Sequence, residues 1–455
     1  MKVLVYDVEG DALLDELTTI WCIGIGDPDT DDVVLYADQP GYPPIAEGIT
    51  RLKEADRTVA HNGIGYDFFA VNRIYPGTLT FRQQFDTLIA ARLLDPENRN
   101  HSLEGWGNKL GFPKGNHEDF SKFSKAMADY CVQDVRITIK IYKEVTEALE
   151  GWGDSITLEH EAALPIALQT QRGFRLDMDK AVELEAELRQ ERDDIERQLQ
   201  ELYPPRWVPV HAEKNSILWP SMASPKQAVK VAKSGTITGK SIFIKGCPYS
   251  RVAYTVFNPG SRQQIEAYLR EDGWQPTKFT PTGSAKLDDT TLNEVAILKP
   301  DMAPLARYFR LGKQIGQLAD GDNAWLRLAK KVGGEYRVFG SVNSNGTVTG
   351  RMSHFSPNMG QVDKKDPRMR AVWIPGEGFV LVGTDADGLE LRVMAHYLFP
   401  YDKGEFAKRV VEGNSKDGTD VHTVNQKLAG LYLRDSAKTL NTLGASWGNP
   451  RRITA

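Results

Sequence analysis

Two carboxylates, Asp7 and Glu9, stand two residues apart at the end of an apolar run, VLVYDVEG. Side chains alternate along a strand, so both acids point to one face. Side by side they repel unless a cation neutralises them. Strand ends often carry solvated acids, so the pair alone decides nothing. Asn62, Tyr66 and Asp67 follow a second apolar stretch in AHNGIGYDFF, where Asp67 also suits a helix cap. In YCVQDVRITIKIY, Tyr130 and Asp134 are four apart and share a helix face. Tyr130 by itself reads as a packed aromatic. Together, four carboxylates on three elements form the set that two divalent cations need. Such ions sit about 3.5–4 Å apart, clamp a phosphodiester and activate a water. A neighbouring tyrosine hydroxyl can orient that water.

A second group of polar residues lies in the C-terminal half. GSVNSNGTVTGRMSHFSPNMGQ is a polar loop with one cation, Arg351, followed by Asn358 and Gln361. Alone, Arg351 reads as a surface ion pair of little energetic weight. The run FVLVGTDADGLELRVMAHYL predicts an apolar strand that delivers Asp385 at its end. A tight turn then opens a helix with Glu390 in its first turn, where a carboxylate also suits the helix dipole. Arg434 and Lys438 are one helical turn apart in RDSAKTL, and beyond about Leu440 the stretch turns to Gly444, Gly448 and Pro450, which oppose a helix.

The elements that must position these residues follow from periodicity. The first ~145 residues read as α/β, with strands in KVLVYDVEG, WCIGIGD, DVVLYA and RTVAHNG and helices in DTLIAARLL and YCVQDVRITIKIYKEVTEAL. GWGDSI marks a boundary. Helix dominates from Thr157 to about Tyr203, broken at RGFRLD, and the charges of DKAVELEAELRQERDDIERQLQELY read as a solvated face. Between about 205 and 251, Pro, Ser and Gly are frequent. There Lys214, Lys226, Lys230, Lys233, Lys240, Lys245, Arg206 and Arg251 face one acid, Glu213; the stretch reads either as a flexible solvated loop or, the favoured expectation, as an inserted basic module touching polyanion or a partner. Helix resumes near SRQQIEAYLREDGW, and a second α/β region opens near EYRVFGSVN. At 455 residues the chain holds two to four domains. Its 41% hydrophobic and 26% charged residues are those of an ordinary globular protein, and a net charge of −5 advertises no general nucleic-acid affinity. Three scattered cysteines, Cys22, Cys131 and Cys247, give neither zinc spacing nor a disulfide framework. With no leader-like or membrane-length apolar segment, the expectation is a cytoplasmic protein in a reducing compartment.

The motifs D-x-E (Asp7, Glu9), N-x3-Y-D (Asn62 to Asp67) and Y-x3-D (Tyr130 to Asp134) resemble the three exonuclease motifs of proofreading DNA polymerases, the DEDD class in its tyrosine variant. The resemblance implies an RNase H-like 3′–5′ exonuclease domain over 1–150. T-G-R followed by N-x2-Q resembles the family A DNA polymerases, in which Arg351, Asn358, Gln361 and Arg370 would follow the primer–template. The groove they track looks nearly alike for every base pair. FVLVGTDADGLELR resembles their motif A, with Asp385 a metal ligand and Glu390 beneath the incoming sugar. Lys313 resembles a thumb-to-palm lysine, and DVHTVNQ with His422 the approach to the fingers. RDSAKT resembles the start of motif B, where Arg434 and Lys438 would grip a triphosphate. The likeness covers residues 1 to about 439 and is nearest to the phage polymerases that borrow host thioredoxin. It implies Mg2+, replaceable by Mn2+, as cofactor. It implies a helical thumb over 151–334 with the basic insertion at about 205–251, the first part of a palm over 335–403 and the start of fingers over 404–455. The implied partners are single-stranded 3′ ends, primer–template DNA and, at the insertion, a processivity factor such as thioredoxin; no membrane is involved.

No H-D-E segment of motif C follows Asp385, and Thr442 stands where motif B carries an aromatic. The expectation is a chain truncated within motif B whose own activity is the exonuclease, with nucleotide addition and dNTP use only when completed. Two alternatives stand beside it: one half of a split polymerase completed by a second polypeptide, or a non-catalytic DNA-binding remnant. An isolated half implies an exposed apolar palm and fingers surface and limited solubility.

Overall fold

The computed structural model describes residues 1–209, 221–222, 248–249 and 252–432, with 434 and 437. The chain forms two compact units. One comprises Met1–Ala167, Val342–Ser353 and the described part of Pro375–Ala455; the other comprises the described residues of Leu168–Ser341 and His354–Ile374.

The first unit is built on a five-stranded sheet of β1 (Val3–Gly10), β2 (Ile20–Gly26), β3 (Val33–Tyr36), β4 (Arg57–Ala60) and β5 (Gln84–Asp86). Their order is β3-β2-β1-β4-β5. The first three are antiparallel neighbours, and β4 and β5 run parallel to β1. This order, with helices on both faces, is RNase H-like. Alternation along β1 sends Leu4, Tyr6 and Val8 to a core shared with α1 (Ile45–Lys53) and α2 (Asp67–Ile74). Val5 faces the other way, into a core with α3 (Thr87–Leu94), α4 (Leu103–Lys109) and α5 (Lys125–Ala148). Asp7 and Glu9 lie on that second face, under α5.

Two glycines set how closely α5 approaches. A Cβ on Gly24 would lie 2.8 Å from Val135 Cγ2 and 3.1 Å from Cys131 Sγ. One on Gly26 would lie 2.7 Å from Ile139 Cδ1. Cys131, Val135 and Ile139 are four apart, one ridge of α5, and the ridge rests on bare backbone of β2. Gly24 pairs with Asp7 across the ladder, so the same residue that admits α5 sits beside the first carboxylate.

Beyond α5, α6 (Asp154–Arg172) and α7 (Met178–Leu202) are separated by Gly173 at φ +64° and a short strand, Phe174–Leu176. In the second unit, Leu184, Leu188, Ile195 and Leu199 of α7 form the buried stripe of a core with Leu305, Leu311 and Ile315 of the helix Ala303–Ile315. The charges of α7 are not simply solvated as expected. Glu191 accepts a two-pronged bond from Arg307, with both N–O distances 2.7 Å, and also pairs with Arg368. Arg189 bridges Glu185 and Asp320. These acids lie along the seam with neighbouring elements, where long side chains reach across the apolar stripe.

Most of the basic insertion lies outside the described residues. Its flanks do not: Arg206–Pro209 pairs antiparallel with Val252–Thr255. Arg206 lies 3.8 Å above the Tyr268 ring and pairs with Glu271, so this cation has local partners. Among the described residues no helix is long and apolar enough to cross a membrane.

Candidate active site

The face of β1 that meets α5 carries the acids. The half-buried Asp7 pairs in register with Gly24, and Glu9 with Cys22. A register shift after Glu9 ends the regular ladder at the site. Glu9, Asp67 and Asp134 are buried, at 7%, 6% and 3% exposure. Asp67 is the first residue of α2 but does not cap it. Its Oδ1 accepts the Val8 amide at 3.1 Å, tying the start of α2 to β1 between the other two acids. Tyr130 and Asp134 stand one turn apart on α5, which Ser124 caps through the Met127 amide.

The loop bearing Asn62 is held by an acid that the sequence motifs did not single out. Asp86, at 2% exposure, accepts amides from Asn62 (2.9 Å), Ile64 (3.0 Å) and Leu88 (2.9 Å). Asn62 sits at φ +63°, a left-handed conformation that asparagine tolerates better than most residues. His61 bonds Thr87 Oγ1 and the His101 carbonyl, both at 2.9 Å, and burial lowers its pKa to about 4. Asp86 was legible only as the first residue of the helical stretch DTLIAARLL, where it caps the helix. Its role as a three-amide acceptor depends on a loop 22–24 residues away in sequence.

A cation also escaped the motif reading. Lys114 Nζ lies 2.8 Å from Asp134 Oδ2 and 4.8 Å above the Tyr130 ring centre. Burial opposes its charge, but the bonds to Asp134 and Tyr130 win and raise its pKa. It comes from an irregular loop, FPKGN, with nothing in its spacing to mark it.

Four acids share one lysine, and their protons respond. Burial and then Glu9 push Asp7 well above the carboxylate range. Burial, then Asp134 and Asp67, lift Glu9 to about 8. Burial lifts Asp67 to about 7 against the pull of the Val8 amide. Burial raises Asp134 despite Lys114. The site is therefore short of positive charge. Asp134 Oδ1 is buried and has no hydrogen-bond partner. Its other oxygen holds an ammonium, which stands in for a cation. All-carboxylate oxygen donors suit a hard ion such as Mg2+ or Mn2+, and the residues present fit that group. A cavity of about 770 Å3 is lined by Asp7, Asp134, Lys114 and Asn62 and continues to Arg92 and His101.

The polymerase-type residues are placed differently. The strand expected at FVLVGTD does not form. Residues 379–386 have no regular structure, and Phe379, Val380, Leu381 and Val382 are exposed. A strand needs a neighbour to pair with, and among the described residues none flanks this segment. Asp385 is accordingly exposed and belongs to no group of metal-ligating side chains among the described residues. The expected helix does form, as Leu389–Asp402, with Ala395 its buried residue and Glu390 in its first turn ion-paired with Arg351. Asp420 caps the helix Val421–Leu428 through the His422 amide. Burial would raise Asp420, but bonds from Arg434 and Thr423 hold it at about 2. Arg434 lies 2.6 Å from Asp420 Oδ1; Lys438 lies outside the described residues. Lys313, Gln361 and Arg370 are exposed, and Asn358 caps a single turn through the Gly360 amide.

Comparison with known proteins places the chain in a family. The profile of DNA polymerase family A matches residues 248–432. The DNA-directed DNA polymerase of Escherichia phage T7 is 30% identical over 535 residues, spanning 96% of this chain and 74% of the phage protein. That of Enterobacteria phage T3 is 31% identical with the same coverage. The thermostable DNA polymerase I of Thermus thermophilus is 29% identical over 204 residues, 42% of this chain and 23% of its own. Among solved structures, the POL domain of Pol1 from M. smegmatis, in complex with DNA primer-template and dNTP, superposes with a TM-score of 0.61 at 16% identity. That match covers 97% of this chain and 66% of the other, and it supports the fold. The chain belongs to the family A DNA polymerases, in their phage type.

Proposed function

We propose that the carboxylate site of the first unit is a 3′–5′ exonuclease acting on single-stranded DNA ends. The observation that carries this reading is the convergence of Asp7, Glu9, Asp67 and Asp134 from β1, α2 and α5, with Asp134 Oδ1 left without a partner. Family A polymerases use divalent metal ions, and these four acids are the residues that would hold Mg2+ or Mn2+ here. When bound, the ions supply Lewis acidity at the phosphoryl oxygens and an acidified water. The protein does the rest. The half-buried Tyr130 hydroxyl holds the attacking water in line, and its raised pKa keeps it protonated as a donor. Lys114, charged throughout the working range, faces the negative charge that builds on the phosphate. The Asp86 knot fixes the Asn62 loop against the strand end.

Asp7→Ala tests this directly. Magnesium-dependent degradation of a 3′-labelled single strand should fall at least a thousandfold; a fall of less than tenfold would refute the reading.

For the second half we assign roles on the resemblance and on the M. smegmatis neighbour, which was solved with primer-template and dNTP. Arg351, Asn358, Gln361, Arg370 and Lys313 contact primer–template. Glu390, His422, Arg434 and Lys438 serve the incoming nucleotide, and Asp385 serves its metal. The basic insertion is where a processivity factor such as thioredoxin would dock. A complementing polymerase polypeptide would cover the exposed Phe379–Val382 stretch.

A further inference from the structure

Cys131 follows Tyr130 on α5 and is fully buried. The exonuclease reading gives it no role. Its Sγ donates a weak bond to the Asp7 carbonyl at 3.6 Å, and the Cβ-free backbone of Gly24 leaves it room on the other side. One ligand atom each from Asp7, Glu9 and Cys131 lie within 4.8 Å of one another. Tetrahedral zinc with ligand distances of about 2.0 Å to oxygen and 2.3 Å to sulfur needs its ligand atoms about 3.3–3.6 Å apart. The three groups therefore need to close by little more than an ångström. The partnerless Asp134 Oδ1, on the turn after Cys131, is a further donor within the same cluster of acids.

The three ligands differ in kind. Carboxylates take magnesium and zinc alike, but a thiolate strongly prefers the softer ion. Magnesium gains nothing from Cys131; zinc or cadmium gains a sulfur ligand. The S–H bond given up to Asp7 is a weak one; the neighbouring Cys22 thiol and burial push the Cys131 thiol well above its usual range, so the metal–sulfur bond must also offset the cost of removing its proton.

We propose that Asp7, Glu9 and Cys131 form a site for a thiophilic divalent cation of the zinc class, which shares two carboxylates with the magnesium set and so excludes it. Binding exchanges the thiol proton for the metal: S–H breaks, the proton leaves to solvent, and a metal–sulfur bond forms. No change of oxidation state is involved. The consequence is an exonuclease that magnesium supports and traces of zinc silence. That consequence rests on the nuclease reading; the binding does not.

Cadmium is the probe, because its bond to a thiolate gives an ultraviolet charge-transfer band. The full chain with Cys22→Ala and Cys247→Ala retains Cys131 alone. Titrated with Cd2+, it should develop the band and saturate at one equivalent. The band should vanish when Cys131→Ser is added, and Glu9→Gln should weaken Cd2+ affinity at least tenfold. In the nuclease assay, the zinc concentration that halves the magnesium-supported rate should rise at least tenfold in Cys131→Ser, each variant being referred to its own rate without zinc. Absence of the band in the single-thiol chain overturns the proposal. So does an unchanged half-inhibiting zinc concentration in Cys131→Ser. If Asp7→Ala leaves the nuclease untouched while the cadmium band appears, the nuclease reading fails and the metal site stands.

Discussion

The raised pKa values of the acids make the stability of the first unit depend on pH in an unusual direction. Glu9 titrates near 8 when folded and near 4.5 when unfolded. A group whose folded pKa is raised contributes stability below its unfolded pKa and loses it as pH rises through the folded one. Between pH 5.5 and 8.5 the unfolded chain carries Glu9 ionised, while the folded chain keeps its proton up to about pH 8. That is ~2.5 pH units at ~1.4 kcal/mol each, on the order of 3 kcal/mol lost from Glu9 alone. Asp67, titrating near 7, acts in the same direction over the lower part of the window. Lys114 stays charged throughout and does not compensate. In metal-free buffer, amide protection in Val3–Gly10 and Lys125–Ala148, corrected for the intrinsic rate, should therefore fall by at least a few hundredfold from pH 5.5 to 8.5. Glu9→Gln should remove most of that fall. Millimolar Mg2+ should remove it too, because a bound cation favours the ionised form. Protection that is flat or rises with pH in the metal-free wild type would show that the acids are not confined as described.

Three further outcomes follow from named contacts. Lys114→Gln should cut the exonuclease rate about 100-fold in initial-rate assays, since one aligned electrostatic donor is worth about that much; a loss under threefold would remove Lys114 from the site. Gly24→Ala should lower the same rate 10- to 100-fold, because its Cβ must push the Val135 and Cys131 turn of α5, and with it Asp134, off the strand. An unchanged rate would mean that α5 yields without moving the acid. Asp86→Asn should lower the melting temperature of the first unit by about 5–10 °C, the cost of setting an amide against three backbone donors at ~2–3 kcal/mol. A drop below 2 °C by calorimetry would contradict the knot.

What could be read from the sequence follows the range of the interactions involved. Asp7 with Glu9, and Tyr130 with Asp134, obey the periods of strand and helix, and both pairs lie on the faces those periods dictate. Asp67 was legible as an acid at a helix start but not as an acceptor for Val8, because that bond closes 59 residues of chain. Lys114 carries no local pattern, and Asp86 carries only that of a helix cap for Leu88; the tertiary closure of loops gives Lys114 its partners and Asp86 its bonds to Asn62 and Ile64. FVLVGTD fails in the opposite sense. Its residues have strand propensity, but propensity without a neighbouring ladder does not make a strand. Arg434, legible as a cation one turn from Lys438, is anchored by an acid fourteen residues earlier.

The seating of α5 on Gly24 and Gly26 has a mechanical consequence. Helices usually meet sheets through side chains, and the mismatches between those side chains leave small voids. Here a ridge of the helix touches backbone directly, so this seam has little empty space to lose. Hydrostatic pressure unfolds proteins largely by eliminating such space. The β2–α5 seam, and the carboxylates that straddle it, should thus behave as the incompressible part of the molecule, holding its dimensions after looser regions have yielded.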